Sequence, residues 1–211
     1  QRAKFGRNIV DHHTYVFAGD GCLMEGVSQE AIAIAGRQRL SKLIVFWDNN
    51  NITIDGKVEL SDKTDQVERF KSSAWHVLEI DGHNPTEIND AIIEAKKNNK
   101  PTMIACKTHI ALGSSAQDTP KGHGALTDSK LIEETKKIYG CSQEKFYVSP
   151  TVKKQWEKIG QKGQQEKLSW EKRFASLSSK RRSEFTRMYS MEVPQKLGRA
   201  IGKLKKALSI E

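Results

Sequence analysis

The sequence predicts an α/β fold: an open, mostly parallel sheet with flanking helices, followed by a helical, basic tail. Three observations predict it. Short apolar, β-branched and aromatic runs recur near residues 14–18, 43–47, 76–80 and 102–106, and helical patterns separate them. The first two runs end in polar tips, Gly19-Asp20-Gly21 and Asp48-Asn49-Asn50-Asn51, as strands do where a parallel sheet binds ligands beyond its carboxyl ends. The excess of positive charge is confined to the last third: residues 1–150 carry 19 Lys/Arg and 20 Asp/Glu, residues 151–211 carry 16 and 6.

Taken in order, residues 14–19 read as the first strand and residues 24–38 as a helix. Its small, apolar face (Ile32, Ala33, Ala35, Gly36) suits close packing on a sheet. The second strand is 43–48. Residues 52–60 alternate around Asp55-Gly56, which predicts a hairpin flap beside Asn50. Ser61 or Asp62 is the expected cap of a short helix running to Phe70. The third strand is 76–81, and Asn84-Pro85 opens the next helix with proline at a tolerated position. Residues 102–108 form the fourth strand. The stretch 109–127, with three glycines and little hydrophobicity, is a long loop of the kind that is usually functional. Residues 128–139 form another helix. From Ser149 the pattern is helical, with Trp156, Ile159, Trp170, Phe174 and Phe185 as its apolar contacts, until Val193-Pro194 breaks it.

The three cysteines (Cys22, Cys106, Cys141) lack metal-type spacing and read as reduced thiols of a cytoplasmic protein. No apolar run is long enough to span a membrane. The basic tail has no aromatic-interleaved groove and reads as a solvated helical face; neither nucleic acid nor membrane is an expected partner. The chain opens on Gln1 rather than Met and the sheet calls for a further strand before residue 14, so a longer parent polypeptide is expected.

The two polar tips carry the chemistry. Asp20 offers a hard anionic oxygen and Asn50 a neutral amide oxygen; with one backbone carbonyl they make half of an octahedral magnesium shell, leaving phosphate oxygens and water to complete it. Gly19 and Gly21 let the backbone approach a phosphate, and the following helix aims its free N–H groups there. A Gly-Asp-Gly alone is usually a tight turn and an Asn run alone a loop. Here both follow apolar strands, with room between Asp20 and Asn50 for one helix and one crossover.

Gly-Asp-Gly followed about thirty residues later by a double Asn resembles the signature of thiamine-diphosphate enzymes. Asp11-His12-His13-Thr14-Tyr15-Val16-Phe17, Gly19-Asp20-Gly21-Cys22-Leu23-Met24-Glu25-Gly26, Asn51-Ile52-Thr53-Ile54-Asp55-Gly56, Asp81-Gly82-His83 and Cys106-Lys107-Thr108-His109-Ile110 are similar to bacterial transketolases over roughly residues 1–190. The resemblance implies a thiamine-diphosphate-binding fold, truncated at its start, over residues 1–148, a helical appendage over 149–190 and an interdomain linker over 191–211. It makes Asp20, Asn50 and the Ile52 carbonyl ligands of magnesium (or of calcium in its place), and puts Gly19 and Gly21 against the diphosphate. Ile54 and Ile110 would pack on the thiamine; each alone would read as core. His123, in Gly122-His123-Gly124-Ala125, would lie over diphosphate and substrate and handle protons, where an isolated loop histidine would simply be exposed. Glu25, otherwise a favourable first-turn acid, becomes a relay residue at a dimer interface. His12 and His13 sit at the far end of the first strand and read as structural. Pro120, Ala111 and Leu126-Thr127-Asp128 depart from the family pattern. Catalysis would also need a pyrimidine-binding domain from the rest of the enzyme or the other subunit of a homodimer. The implied activity is transfer of a two-carbon ketol group from a ketose phosphate to an aldose phosphate in the pentose phosphate pathway, with this chain inactive alone. Dihydroxyacetone synthase, deoxyxylulose-phosphate synthase, or a non-catalytic module binding a partner through the basic tail are the rival readings.

Overall fold

A computed structural model describes residues 1–124, 126–194 and 196–209. The chain divides into two compact units, residues 12–147 and residues 1–11 with 148–211.

The first unit is built on four parallel strands, β1 Thr14–Gly19, β2 Leu43–Asn49, β3 His76–Asp81 and β4 Thr102–Lys107, in the order β1-β2-β4-β3. β2 and β4 are central and read as near-continuous apolar runs because both of their faces are covered. The period of two divides their side chains. Val45, Trp47, Met103 and Ala105 face a core completed by Leu23, Ile32, Ala35, Phe70 and Trp75. Ile44, Phe46, Ile104 and Cys106 face the other way, against Ala91 and Ala95. β1 is an edge strand whose Phe17 is 81% exposed.

The chain's opening helix is α1 Arg2–Phe5, which belongs to the other unit. In the sheet unit the expected helix over 24–38 is two helices, α2 Asp20–Met24 and α3 Gly26–Arg37, broken where Glu25 turns extended (ψ 136°). The break is stable because Ser28 Oγ and Gln29 Nε2 donate to the carbonyls of Cys22 and Leu23, both at 2.6 Å, satisfying the end of α2. The expected cap at Ser61 or Asp62 is also corrected. The Asp62 carboxylate accepts instead from Thr64 N–H and Oγ–H (2.9 and 2.6 Å), and α4 Gln66–Ser72 starts later, capped by Asp65. Asn84 caps α5 Pro85–Lys97, with Pro85 in the first turn as expected. α6 spans Ser129–Ile138. The hairpin over 52–60 is reduced to one bridge, Ile52 to Lys57, followed by a 3-10 turn over Val58–Leu60. Ile52 is buried, but the rest of its alternating apolar face finds no core: Ile54 is 72% and Leu60 78% exposed.

The second unit holds α1 with α7 Pro150–Ala175, α8 Ser179–Tyr189 and α9 Leu197–Leu208, the last within the stretch read as a linker. Phe5, Ile9 and Phe185 form its core with Trp170 and Phe174. Trp156 and Ile159, expected among the apolar contacts, are exposed, because the aromatic partners gather on the last turns of α7. No helix among the described residues is long and apolar enough to cross a membrane.

Candidate functional site

The strand tips converge as parallel pairing requires. Register places Ala18 beside Trp47 and Gly19 beside Asp48, so Asp20 and Asn50 leave adjacent strands at one end of the sheet. Beyond them lies a cavity of about 690 Å³. All nine predicted site residues line it: Gly19, Asp20, Gly21, Glu25, Asn50, Ile52, Ile54, Ile110 and His123.

Asp20, at the start of α2, is only 6% exposed. Its Oδ1 accepts from the Trp47 indole N–H at 3.0 Å and its Oδ2 from the Asn51 N–H at 3.1 Å. Burial pushes its carboxyl above the usual carboxylate range; the bonds from Trp47 and Asn51 and the charge of Lys107 oppose the rise. Asn50 Oδ1 accepts the Ile52 N–H at 2.9 Å, and its Nδ2 donates to Asp48 at 3.1 Å, fixing the amide's orientation. Asp48 also accepts from the Thr108 hydroxyl, tying the tip of β2 to the end of β4. Asn51 adopts a left-handed φ of 61°, which Asn tolerates better than most residues, and this turn brings its N–H to Asp20.

Ile110 and His123 come from the long loop, which is folded on itself. The Asp118 N–H donates to the Ile110 carbonyl at 3.2 Å, and Gln117 accepts the Gly113 N–H at 2.8 Å. A Cβ on Gly122 would lie 2.9 Å from both the Ala111 Cβ and the Ala116 oxygen, so the loop closes this tightly only with glycine there. Pro120 opens the 3-10 turn Pro120–His123 that presents His123. Ala111 takes a left-handed φ of 50°. Ala125 of the Gly-His-Gly-Ala motif lies outside the described residues. His12 and His13 precede β1, away from the cavity. His83 and His109 stack at 5.8 Å, and Asp118 meets His109 Nδ1 at 2.9 Å beside a smaller cavity of about 390 Å³.

Trp47 and Asn51, which hold Asp20, were not legible as site residues. A tryptophan closing an apolar strand reads as core; its position one residue before the polar tip was the available signal.

The donors fit a divalent cation bound with a phosphate. Asp20 is a buried carboxyl group whose two oxygens accept from the Trp47 and Asn51 N–H groups. An ionised carboxylate offers about four lone-pair sites, so two accepted hydrogen bonds leave room for a metal. No three His, Cys, Asp or Glu side chains cluster as a metal site among the described residues. Gly19 has ordinary extended backbone, and a Cβ on either Gly19 or Gly21 would meet open space. Neither backbone strain nor crowding by the protein demands these glycines, whereas a ligand lying against the backbone would.

A family model described as the thiamine diphosphate binding domain of transketolase matches residues 1–195. The chain belongs to this transketolase family. It is 48% identical over 208 residues to a transketolase of Rhodobacter capsulatus, covering 98% of this chain and 31% of the relative. It is 41% identical to a transketolase of Aquifex aeolicus, covering 83% of this chain and 26% of the relative. The crystal structure of transketolase from Campylobacter jejuni superposes with a TM-score of 0.82 at 34% identity, over 87% of this chain and 29% of that one. The parallel four-stranded sheet with flanking helices is thus a transketolase α/β fold. The chain spans about a third of the length of these transketolases.

Proposed function

We propose that this chain forms the diphosphate-binding half of a transketolase active site. One observation supports the reading above the others: nine residues spread from Gly19 to His123, chosen from sequence, border a single cavity at the carboxyl end of the sheet. Asp20, Asn50 and the Ile52 carbonyl would hold magnesium, or calcium in its place, against the diphosphate of thiamine diphosphate. When bound, the cofactor would supply the carrier chemistry that moves a two-carbon ketol unit from a ketose phosphate to an aldose phosphate.

The chain's own residues bind and orient. Gly19 and Gly21 admit the diphosphate to the backbone. Ile54 and Ile110 offer apolar surface to the thiazolium. Exposed His123 carries a ring nitrogen that holds or passes a proton at the cavity mouth. Glu25 caps α3 at the rim, where it can meet a pyrimidine-binding domain supplied by the rest of the polypeptide or by a second subunit of a cytoplasmic homodimer.

Calorimetric titration of the chain with thiamine diphosphate, with magnesium and then with chelator, tests the reading. Saturable, magnesium-dependent binding is expected in the parent. Asp20→Ala should lose more than about a hundredfold in affinity, beyond what loss of an outer-shell partner costs. No binding by the folded parent chain, or unchanged binding in the variant, overturns the reading.

A further inference from the structure

We propose that Trp47 is a positioning residue for the cation site: its indole N–H, anchored in the core, fixes the Asp20 carboxylate in the orientation a divalent cation takes up. The inference rests on the reading of Asp20 as a ligand.

The donor is rigid. Trp47 is 8% exposed and belongs to the buried cluster that includes Ala18, Val45 and Phe70, which restricts the swing of its ring. The bond is cross-strand: it joins the tip of β2 to the first residue after β1, 27 positions apart. The second donor, the Asn51 N–H, takes the other oxygen, so both carboxylate oxygens are fixed. Side-chain entropy that a free carboxylate would lose on meeting a cation has then been lost on folding.

Burial of an indole does not by itself call for a carboxylate. Trp75 occupies the same core and gives its N–H to the Ile32 carbonyl at 2.9 Å. Trp170, in the helical unit, gives its own to the Ile9 carbonyl at 2.9 Å. Backbone oxygens are the partners in both cases, and Trp47 instead meets the one buried carboxylate among the described residues that borders the cavity.

Trp47→Phe keeps the ring and removes the N–H. The experiment measures the magnesium Kd of the 211-residue chain by calorimetry at fixed thiamine diphosphate, for the parent, for Trp47→Phe and for Val45→Ala. Val45 packs in the same core but touches no predicted ligand by hydrogen bond, and its truncation reports the effect of lost packing alone. The expected result is a magnesium Kd raised about 10- to 100-fold in Trp47→Phe, as for other outer-shell partners. Excess magnesium should restore thiamine diphosphate binding, and Val45→Ala should lower the melting temperature while leaving the magnesium Kd unchanged. A parent chain that shows no magnesium-dependent binding overturns the cofactor reading and this inference together. A binding parent with an unchanged Kd in Trp47→Phe overturns the inference alone, as does an equal loss in Val45→Ala.

Discussion

Cys106 lies inside β4, its Sγ–H directed at the Ile104 carbonyl at 3.5 Å. Burial, with the nearby charge of Asp48, pushes its thiol from about 9.0 up to about 11. The folded chain therefore favours the protonated form, and this preference is lost as pH climbs through that range. At pH 8 iodoacetamide should modify exposed Cys22 and Cys141 and spare Cys106; mass spectrometry should find two adducts on the native chain and three in urea. The sequence reads Cys106 as a reduced thiol at the end of an apolar run. Asp20 and Asn50 were legible as polar residues placed where such runs stop. The Asn51 conformation was not: nothing in an Asn run says which member turns left-handed.

At the scale of elements, α3 comes close to the chain that follows α4. A Cβ on Gly36 would sit 1.8 Å from the Ser73 carbonyl oxygen and 3.2 Å from the Trp75 ring, both following α4. A backbone oxygen cannot step aside as a flexible side chain can. Gly36→Ala should destabilise the chain by about 1–3 kcal/mol. A chain of this size loses about 2–4 °C in melting temperature per kcal/mol, which a thermal scan followed by circular dichroism would register. The four strands were readable because each is a short apolar run with turn residues beside it. The break between α2 and α3 was hidden, since it depends on Ser28 and Gln29 reaching back to carbonyls rather than on a proline or a run of glycines. The expected hairpin failed because alternation predicts a strand only where a sheet stands ready to pair with it and bury one face.

For the molecule as a whole, the outer edge of β1 is an open strand edge. Tyr15 and Phe17 are exposed on one face and Val16 on the other, and Phe17 stacks on Phe46 at 5.2 Å. Flat apolar edges of this kind invite pairing with another chain. The 211-residue chain should self-associate as its concentration rises, and Phe17→Lys should suppress this in sedimentation velocity while leaving the circular dichroism spectrum unchanged. The grouping of residues 1–11 with 148–211 was beyond sequence reading, because it rests on contacts such as Trp170 to Ile9, 161 positions apart. The bond between Trp47 and Asp20 has a consequence for folding itself. Sliding β1 past β2 by one residue would turn alternate side chains to the opposite face and part this pair. Only the correctly registered sheet then holds the Asp20 carboxylate between the Trp47 and Asn51 N–H groups, so a mispaired chain would not offer it to a ligand in that orientation. Ligand present during refolding would draw the population toward native pairing by mass action, a proofreading step built into the site.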